Sequence, residues 1–536
     1  MLTLDWDGKD EAKKKSSEIP LRLLDFDSSL SCGDRDSANI IVQGDNLDTL
    51  KSLLPFYRGQ VKCIYIDPPY NTGSAFEHYN DNYPHSDWLS MMYPRLELLR
   101  EFLSDDGFFC CEIDDSEGQY LKILCDEIFG RQNFLTTFYI QVRYPNKTLK
   151  EDMNFHKEIE QIHIYQKSSA ASPNLNTSTF GFEKFIYEIK EKELPFSKVE
   201  IGGKKVEIFR KGQYEIKKNI GSRYGLKEIW ATGTILDGNS SGRFFRDFLT
   251  GRYLQDGYGV LYKVYGIGDD IFDYRYFTGP QREGATKGKY YQGVPIDKFE
   301  LEKNTRTLPI ENFYDFAANF GNCRHEGNAD FRSGKKPEIL IKTILKHFSN
   351  EGDLILDSFL GSGTTAAVAH KMNRHYIGIE MGEQAITHVV PRLQKVIEGE
   401  QGGISKSVNW QGGGSFNFYK LGETLCDEFG IINTKVTFHQ LASFIWFSAT
   451  KMPYLEQKNS PLIGVYDGIA YYLLYNGILG DKRPNGGNVL TKKVLSILPL
   501  HYGKKIIYGE ACRIGDNFLQ ESNIIFRQIP KEIDFR

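Results

Sequence analysis

Val61-Lys62-Cys63-Ile64-Tyr65-Ile66-Asp67-Pro68-Pro69-Tyr70 carries an apolar, β-branched run, broken only by Lys62, into an acid, two prolines and a tyrosine. A run of this kind reads as a buried strand. The two prolines fix φ and remove two backbone donors, so the chain leaves the sheet at once, with the Asp67 carboxylate and the Pro68 carbonyl facing outward. Upstream, residues 39–42 form a second short apolar run, and residues 46–54 space Leu47, Leu50 and Leu54 helically. Downstream, residues 88–102 read as an amphipathic helix, 107–113 as a buried strand and 119–129 as another helix. Strand and helix alternating in this way predict a parallel sheet. The pattern returns much later, with a helix over 337–348, a strand over 353–357, a helix over 364–372 and a strand over 375–379. An α/β pattern has been split in two.

The 536 residues suffice for three or four units of about 150 residues each, or for one enlarged domain with insertions. Lys plus Arg is 66 and Asp plus Glu is 70, a net charge of −4, so overall basicity gives no argument for a nucleic-acid partner. Hydrophobic residues at 40% and charged residues at 25% exclude a disordered or fibrous chain. No apolar stretch approaches the roughly 18–20 residues of a membrane helix, and the start, MLTLDWDGKDEAKKK, lacks the apolar core of a secretory signal. The eight cysteines show neither a CxxC pair nor zinc-ligand spacing. The chain reads as a soluble cytoplasmic protein with reduced thiols.

Residues 201–300 differ from the rest. They hold 17 Lys plus Arg against 12 Asp plus Glu, 18 aromatics and 17 of the 51 glycines. Two readings fit: an irregular β-rich domain with solvated lysines, or a nucleic-acid surface. Residues 402–414, GGISKSVNWQGGG, read as a glycine-rich linker to a separate tail from about Leu421. In that tail Asp467-Gly468, between apolar runs 463–466 and 469–475, signals a hairpin. No chemical motif and no internal repeat is evident there.

Chemistry concentrates in two places. At Asp67-Pro68-Pro69-Tyr70, two acceptors would point into one cleft. An exocyclic amino group on a nucleobase offers two N–H donors, and accepting both draws its lone pair toward an electrophile. Tyr70 offers a flat ring for stacking. The plainer alternative is a proline turn with an Asp cap. The second place is the turn of residues 357–365, DSFLGSGTT, between a strand and a helix. Its glycines permit close backbone approach and the helix start offers free N–H groups to an anion. Seventeen residues beyond Gly363, Glu380 ends the next strand, where a carboxylate can accept from both hydroxyls of a ribose. This turn alone suits a dinucleotide as well as an adenosyl cofactor, and without GK[ST] it is no phosphate-cradling NTPase loop. In one sheet, both motifs would share the edge formed by carboxyl strand ends. Asp45, also closing a strand, reads equally as an adenine contact or as the cap of the following helix. Asp114, Asp115 and Glu117 are expected to cap the helix after residues 107–113. His156, His163 and the Cys323/His325 pair find no third ligand, so no metal site is expected.

These motifs resemble the beta class of DNA amino-methyltransferases, in which the DPPY element precedes the FxGxG element. The segments LTLDWDGKDEA, GDRDSANIIVQGDNLDTLKSLLPFYRGQVKCIYIDPPYNTGS and WLSMMYPRLELLREFLSDDGFF look like the modification subunits of type III restriction-modification systems, over roughly residues 1–420. The resemblance implies an α/β, mostly parallel Rossmann-like methyltransferase sheet in halves at 1–142 and 333–400. It implies a target-recognition insert at 143–332, beside the linker at 401–420 and the small α+β domain at 421–536. It implies S-adenosylmethionine as cofactor, held by Asp45, Lys336, Asp357, Phe359, Gly361, Gly363, Thr364 and Glu380, with Lys336 on the methionine portion. Asp67, Pro68, Pro69 and Tyr70 are the implied catalytic set, and Asp before Pro-Pro-Tyr implies adenine rather than cytosine. Implied partners are double-stranded DNA, a second copy of the chain and a helicase-nuclease subunit of a restriction system. Among the alternatives, transfer to the cytosine 4-amino group shares all these motifs. A nicotinamide-dependent oxidoreductase leaves residues 67–70 without a role, and intact motifs argue against a silent binding subunit.

Overall fold

The computed structural model describes residues 3–73, 81–145, 155–179, 181–231, 240–299, 305–328, 331, 334–427, 431–452, 454, 460–529 and 532. A ten-stranded sheet organises the larger part. Its order is Arg22–Phe26, Asn417–Thr424, Ile40–Gln43, His375–Glu380, Leu354–Asp357, Val61–Ile66, Leu103–Ile113, Ile159–Gln166, Phe134–Gln141 and Phe313–Asp315. The stretch from Asn417–Thr424 to Leu103–Ile113 is parallel throughout, and Arg22–Phe26 and Ile159–Gln166 join it antiparallel on either side.

Alternate residues of the central strands enter two different cores, as the two-residue period of a strand requires. Cys63, Tyr65, Phe108 and Cys110 face the helices Glu338–Phe348, Thr364–Lys371 and Val390–Ile397. Ile64, Ile66, Phe109 and Cys111 face Asn46–Tyr57 and His85–Phe102. Burial on both faces explains why these strands read as continuous apolar runs. Among the described residues no helix is long and apolar enough to cross a membrane. All eight cysteines are free thiols.

Residues 175–309 form a compact unit of their own. They build a six-stranded antiparallel sheet in the order Lys227–Ala231, Gly288–Gln292, Tyr274–Thr278, Leu261–Tyr265, Lys204–Phe209 and Ser197–Ile201. Several of its lysines are paired, Lys198 with Glu207 at 3.0 Å, Lys263 with Glu191 at 2.8 Å and Lys289 with Glu228 at 2.7 Å, which reduces the free positive charge that composition suggests.

Three expected boundaries move. The insert of 143–332 shrinks, because Ile159–Gln166 pairs with Leu103–Ile113 and Phe134–Gln141, and Phe313–Asp315 extends the same sheet. Residues 332 and 333 lie outside the described set. The supposed linker 401–420 is folded: Trp410 is buried with its Nε1 donating to the Val396 carbonyl at 2.7 Å, and Asn417–Thr424 is a sheet strand that crosses the expected boundary at 421. The tail carries its own sheet of Leu462–Tyr466, Ile469–Leu473, Lys505–Gly509 and Ile524–Gln528. It is not separate, since the Tyr454 N–H donates to the Pro55 carbonyl at 2.8 Å and Leu21 and Leu23 enter its core. The hairpin at Asp467-Gly468 is present, with positive φ at both residues (50° and 71°).

Candidate active site

From Leu354–Asp357 the chain proceeds to His375–Glu380 on one side, and from Val61–Ile66 to Leu103–Ile113 on the other. Leu356 pairs with Ile64, so the two motif-bearing strands are neighbours. Strand order reverses between them, which opens a crevice beyond their carboxyl ends. Asp67 and Asp357 both stand at that crevice.

The proline segment is fixed from several directions. The Trp88 indole donates to the Pro69 carbonyl at 2.8 Å. Asn71 sits at φ 60°, a left-handed conformation that asparagine tolerates. The buried Asp81 carboxylate accepts from the Asn71 and Thr72 N–H groups at 2.8 and 3.0 Å. Glu117 accepts from Asn71 Nδ2 at 2.8 Å and pairs with His85 at 2.9 Å. It makes no side-chain cap to the helix Gly118–Cys125, so its expected capping role gives way to gripping the loop after Tyr70. Asp114 and Asp115 also turn elsewhere, to Lys157 at 2.9 Å and to Gln161 at 3.2 Å.

Lys336 lies at the centre of the acids. Its Nζ is 2.7 Å from Glu160 Oε2, 3.1 Å from Glu112 Oε1 and 3.3 Å from Asp67 Oδ1, and it donates to the Tyr70 hydroxyl at 2.5 Å. The Tyr70 hydroxyl in turn donates to Glu160 at 2.9 Å. Tyr65 donates to Glu112 from within the sheet. Asp67 Oδ1 and Glu112 Oε1 are buried and complete no hydrogen bond of good geometry among the described residues. Burial pushes the Asp67 carboxyl up to about 6 against the pull of Lys336. Burial likewise raises Glu112 well above the carboxylate range, while Glu160 is pushed up by burial yet drawn net below its usual value by Lys336 and its hydrogen bonds. Lys336 stays charged, since the three acids overcome its burial.

Across the crevice, Asp357 accepts from the Phe359 N–H at 2.9 Å and from Thr365 Oγ1 at 2.6 Å, which shapes the turn. Burial raises its carboxyl to about 7. Gly361 and Gly363 adopt φ of 56° and 80°, and a Cβ on Gly363 would come within 3.2 Å of Val389. Glu380 ties its strand to this turn, accepting from the Gly361 N–H at 2.7 Å, the Gly382 N–H at 3.0 Å and Gln384 at 2.7 Å. The Thr364 hydroxyl faces inward, donating to the Lys336 carbonyl at 3.2 Å and accepting from Arg392 at 2.8 Å, while Phe359 is half-buried against the core. Arg392 and Lys371 share the fully buried Glu338 at 2.9 and 2.8 Å and anchor the helix behind the turn. Ser358 Oγ is buried without a hydrogen-bond partner among the described residues.

Asp45 is the N-cap of Asn46–Tyr57, accepting from Leu47 N at 2.8 Å, and pairs with Arg95 at 3.1 Å. Of its two readings, the geometry supports the cap. Lys336 reaches the DPPY acids rather than the glycine turn. Glu112 and Glu160 carried no sequence signal of their own. Only the knowledge that Ile159–Gln166 pairs beside Leu103–Ile113 brings Glu160 to Tyr70.

A sheet with a strand-order reversal and these two motifs on either side of it places the chain in the class of α/β proteins whose ligands bind at the carboxyl ends of strands. The chain belongs to the DNA methylase family, whose model, described as DNA methylase, matches residues 61–390. Its relatives include the probable type III restriction-modification enzyme HindVI Mod subunit of Haemophilus influenzae, 35% identical over 72% of this chain and 54% of its own length. The StyLTI Mod subunit of Salmonella typhimurium is 28% identical over 69% and 56%, and the EcoPI Mod subunit of Escherichia phage P1 27% identical over 71% and 64%. The chain thus spans about half to two thirds of these curated relatives.

Proposed function

We propose that this chain transfers a methyl group to the 6-amino group of an adenine extruded from double-stranded DNA, as the modification component of a type III restriction-modification system. The observation that carries the reading is the meeting of Asp67 and Tyr70 with the turn of residues 357–365 at neighbouring strand ends, where Asp67 Oδ1 is ion-paired with Lys336 at 3.3 Å but completes no well-aligned hydrogen bond among the described residues. S-adenosylmethionine fits the turn: its two left-handed glycines allow close approach, Ser358 Oγ awaits a partner, and Glu380 borders the same loop. Gly361, Gly363, Phe359, Asp357 and Glu380 would hold it, and the cofactor supplies an electrophilic methyl group.

The residues of this chain do the rest. A base inside a duplex is out of reach, so it must be flipped out, and Tyr70 stacks on the extruded ring. Asp67 and the Pro68 carbonyl accept the two amino hydrogens and aim the nitrogen's lone pair at the methyl group. A carboxyl poised at about 6 can also take up the proton that the amine releases. Residues 175–309 select the sequence, and the names of the relatives point to a restriction subunit as partner, with a second copy of the chain as a further candidate. Methylation mapping of DNA from cells with and without the gene tests the reading. N6-methyladenine in one short sequence, dependent on the gene, is expected, whereas gene-dependent N4-methylcytosine or no mark at all would overturn it.

A further inference from the structure

We propose that Lys336 and Glu160 are positioning residues that form a buried bridge, fixing the Tyr70 hydroxyl and holding Asp67 as a carboxylate toward the crevice. The inference rests on the methyl-transfer reading and reassigns Lys336 from the cofactor to the amine side of the site.

Three separate parts of the chain deliver acids to one point: Asp67 after Val61–Ile66, Glu112 within Leu103–Ile113 and Glu160 within Ile159–Gln166. The Lys336 side chain is 9% exposed and Glu112 0%, while Asp67 and Glu160 keep 20% and 19%, so water reaches the group only from the crevice side. Three carboxyl groups brought this close oppose one another's ionisation, and a cation among them offsets that repulsion. Lys336 is that cation, and it touches all three within 3.3 Å. The charged and titratable groups facing it are Asp67, Glu112, Glu160 and Tyr70, with the Cys323 thiol further off, while Tyr65 and Asp357 interact with Asp67. The Tyr70 hydroxyl, Lys336 Nζ and Glu160 Oε2 form a closed triangle with sides of 2.5, 2.7 and 2.9 Å, and the ammonium lies 4.8 Å from the Tyr70 ring centroid. A ring fixed at its hydroxyl is pre-oriented for stacking. This arrangement needs the antiparallel strand Ile159–Gln166 beside Leu103–Ile113, which gives that strand a functional reason.

Removing each member of the bridge should displace Asp67 in opposite directions. In Lys336→Met the acids lose their cation, so Asp67 holds its proton to higher pH. In Glu160→Gln a like charge disappears, so Asp67 releases its proton earlier. The carboxylate is the active form, so the acid limb of the kcat profile should move up by about one pH unit in Lys336→Met and down in Glu160→Gln. The double variant should fall between them, and calorimetry should find S-adenosylmethionine affinity within about threefold of the parent in all three. Shifts in the same direction, or none, would overturn the bridge. Loss of cofactor affinity in Lys336→Met with an unmoved limb would return Lys336 to the cofactor.

Thermal denaturation from pH 5 to 8 reads the same carboxyls without turnover. A raised carboxyl stabilises the fold below its unfolded value and loses that contribution as pH rises through the folded one. The decline should be steeper in Lys336→Met and shallower in Glu160→Gln. Equal declines would contradict the bridge even if the parent methylated no DNA, and absent methylation with divergent declines would refute only the functional reading. If Lys336→Met does not fold, Glu160→Gln alone decides by the direction of its two shifts.

Discussion

The half-buried Asp67 and the buried Asp357 have carboxyls raised to about 6 and about 7, and each is costly to ionise in the fold. Asp67→Ala should lower methyl transfer by roughly a hundred- to thousandfold, the usual loss for one preorganised electrostatic contact, while leaving S-adenosylmethionine binding near that of the parent. Asp67→Asn should be nearly as damaging, because an amide accepts more weakly and can present its donor face. Calorimetry and a labelled-methyl assay on the same preparation separate the two effects, and appreciable transfer by the alanine variant would remove Asp67 from the mechanism. Asp357 tests the cost of burial. Its contribution to stability is present below about pH 4 and lost as pH rises through 7, since its folded value is raised. Asp357→Asn should therefore be more stable than the parent at pH 8, by an amount on the order of 1–3 kcal/mol, with the advantage vanishing toward pH 4. Denaturant titrations at both pH values check this. An advantage that grows toward acid would contradict the assignment. Tyr70→Ala should abolish the flipping signal of 2-aminopurine at the target more than it weakens duplex affinity, stacking on one base being worth about 1–3 kcal/mol.

Among the elements, the glycine turn is held at Gly363 by both backbone and neighbour. Gly363 combines a φ of 80° with a Cβ position 3.2 Å from Val389, so Gly363→Ala should strain the turn by about 1 kcal/mol and weaken S-adenosylmethionine binding about tenfold by calorimetry. Unchanged affinity would separate this turn from the cofactor. The central strands and helices were legible because apolar runs and helical spacing are local signals: Val61–Ile66 appears with the expected bounds, and helix 46–54 extends to Tyr57. Ile159–Gln166 was hidden by its composition. IEQIHIYQ mixes charge with apolar residues because its first half is open to solvent, and its place in the sheet depends on a partner strand about fifty residues earlier. Asp67, Tyr70 and the turn were recognisable as motifs, whereas the acid–lysine cluster around Lys336 exists only through pairing of distant strands. The glycine-rich residues 402–414 read as a linker because glycine suggests freedom. Gly412, Gly413 and Gly414 instead hold φ of 95°, 100° and 90° in a folded turn, where a Cβ on Gly414 would meet His370.

The described residues build an α/β sheet bearing both motifs, a four-stranded sheet in the C-terminal tail, and an antiparallel β unit at residues 175–309 that lies in sequence between the two motif-bearing segments. The boundary has a practical consequence. Exchanging residues 175–309 for a relative's should give a folded chimera with a new methylated sequence, because both junctions fall outside the main sheet. Exchanging 143–332 replaces Ile159–Gln166 and Phe313–Asp315 and should cost stability and activity together. An unchanged methylated sequence in the first chimera would remove residues 175–309 from sequence choice. The crevice between Asp67 and Asp357 is proposed to join an adenine amine to a methyl donor. This role is tested most directly by incubating the purified protein and its Asp67→Ala variant with S-adenosylmethionine and mixed-sequence duplex DNA, then separating the nucleosides by mass spectrometry. N6-methyladenosine in its deoxy form is expected from the parent and none above background from the variant. N4-methyldeoxycytidine from the parent, or equal N6 methylation by both proteins, would contradict it.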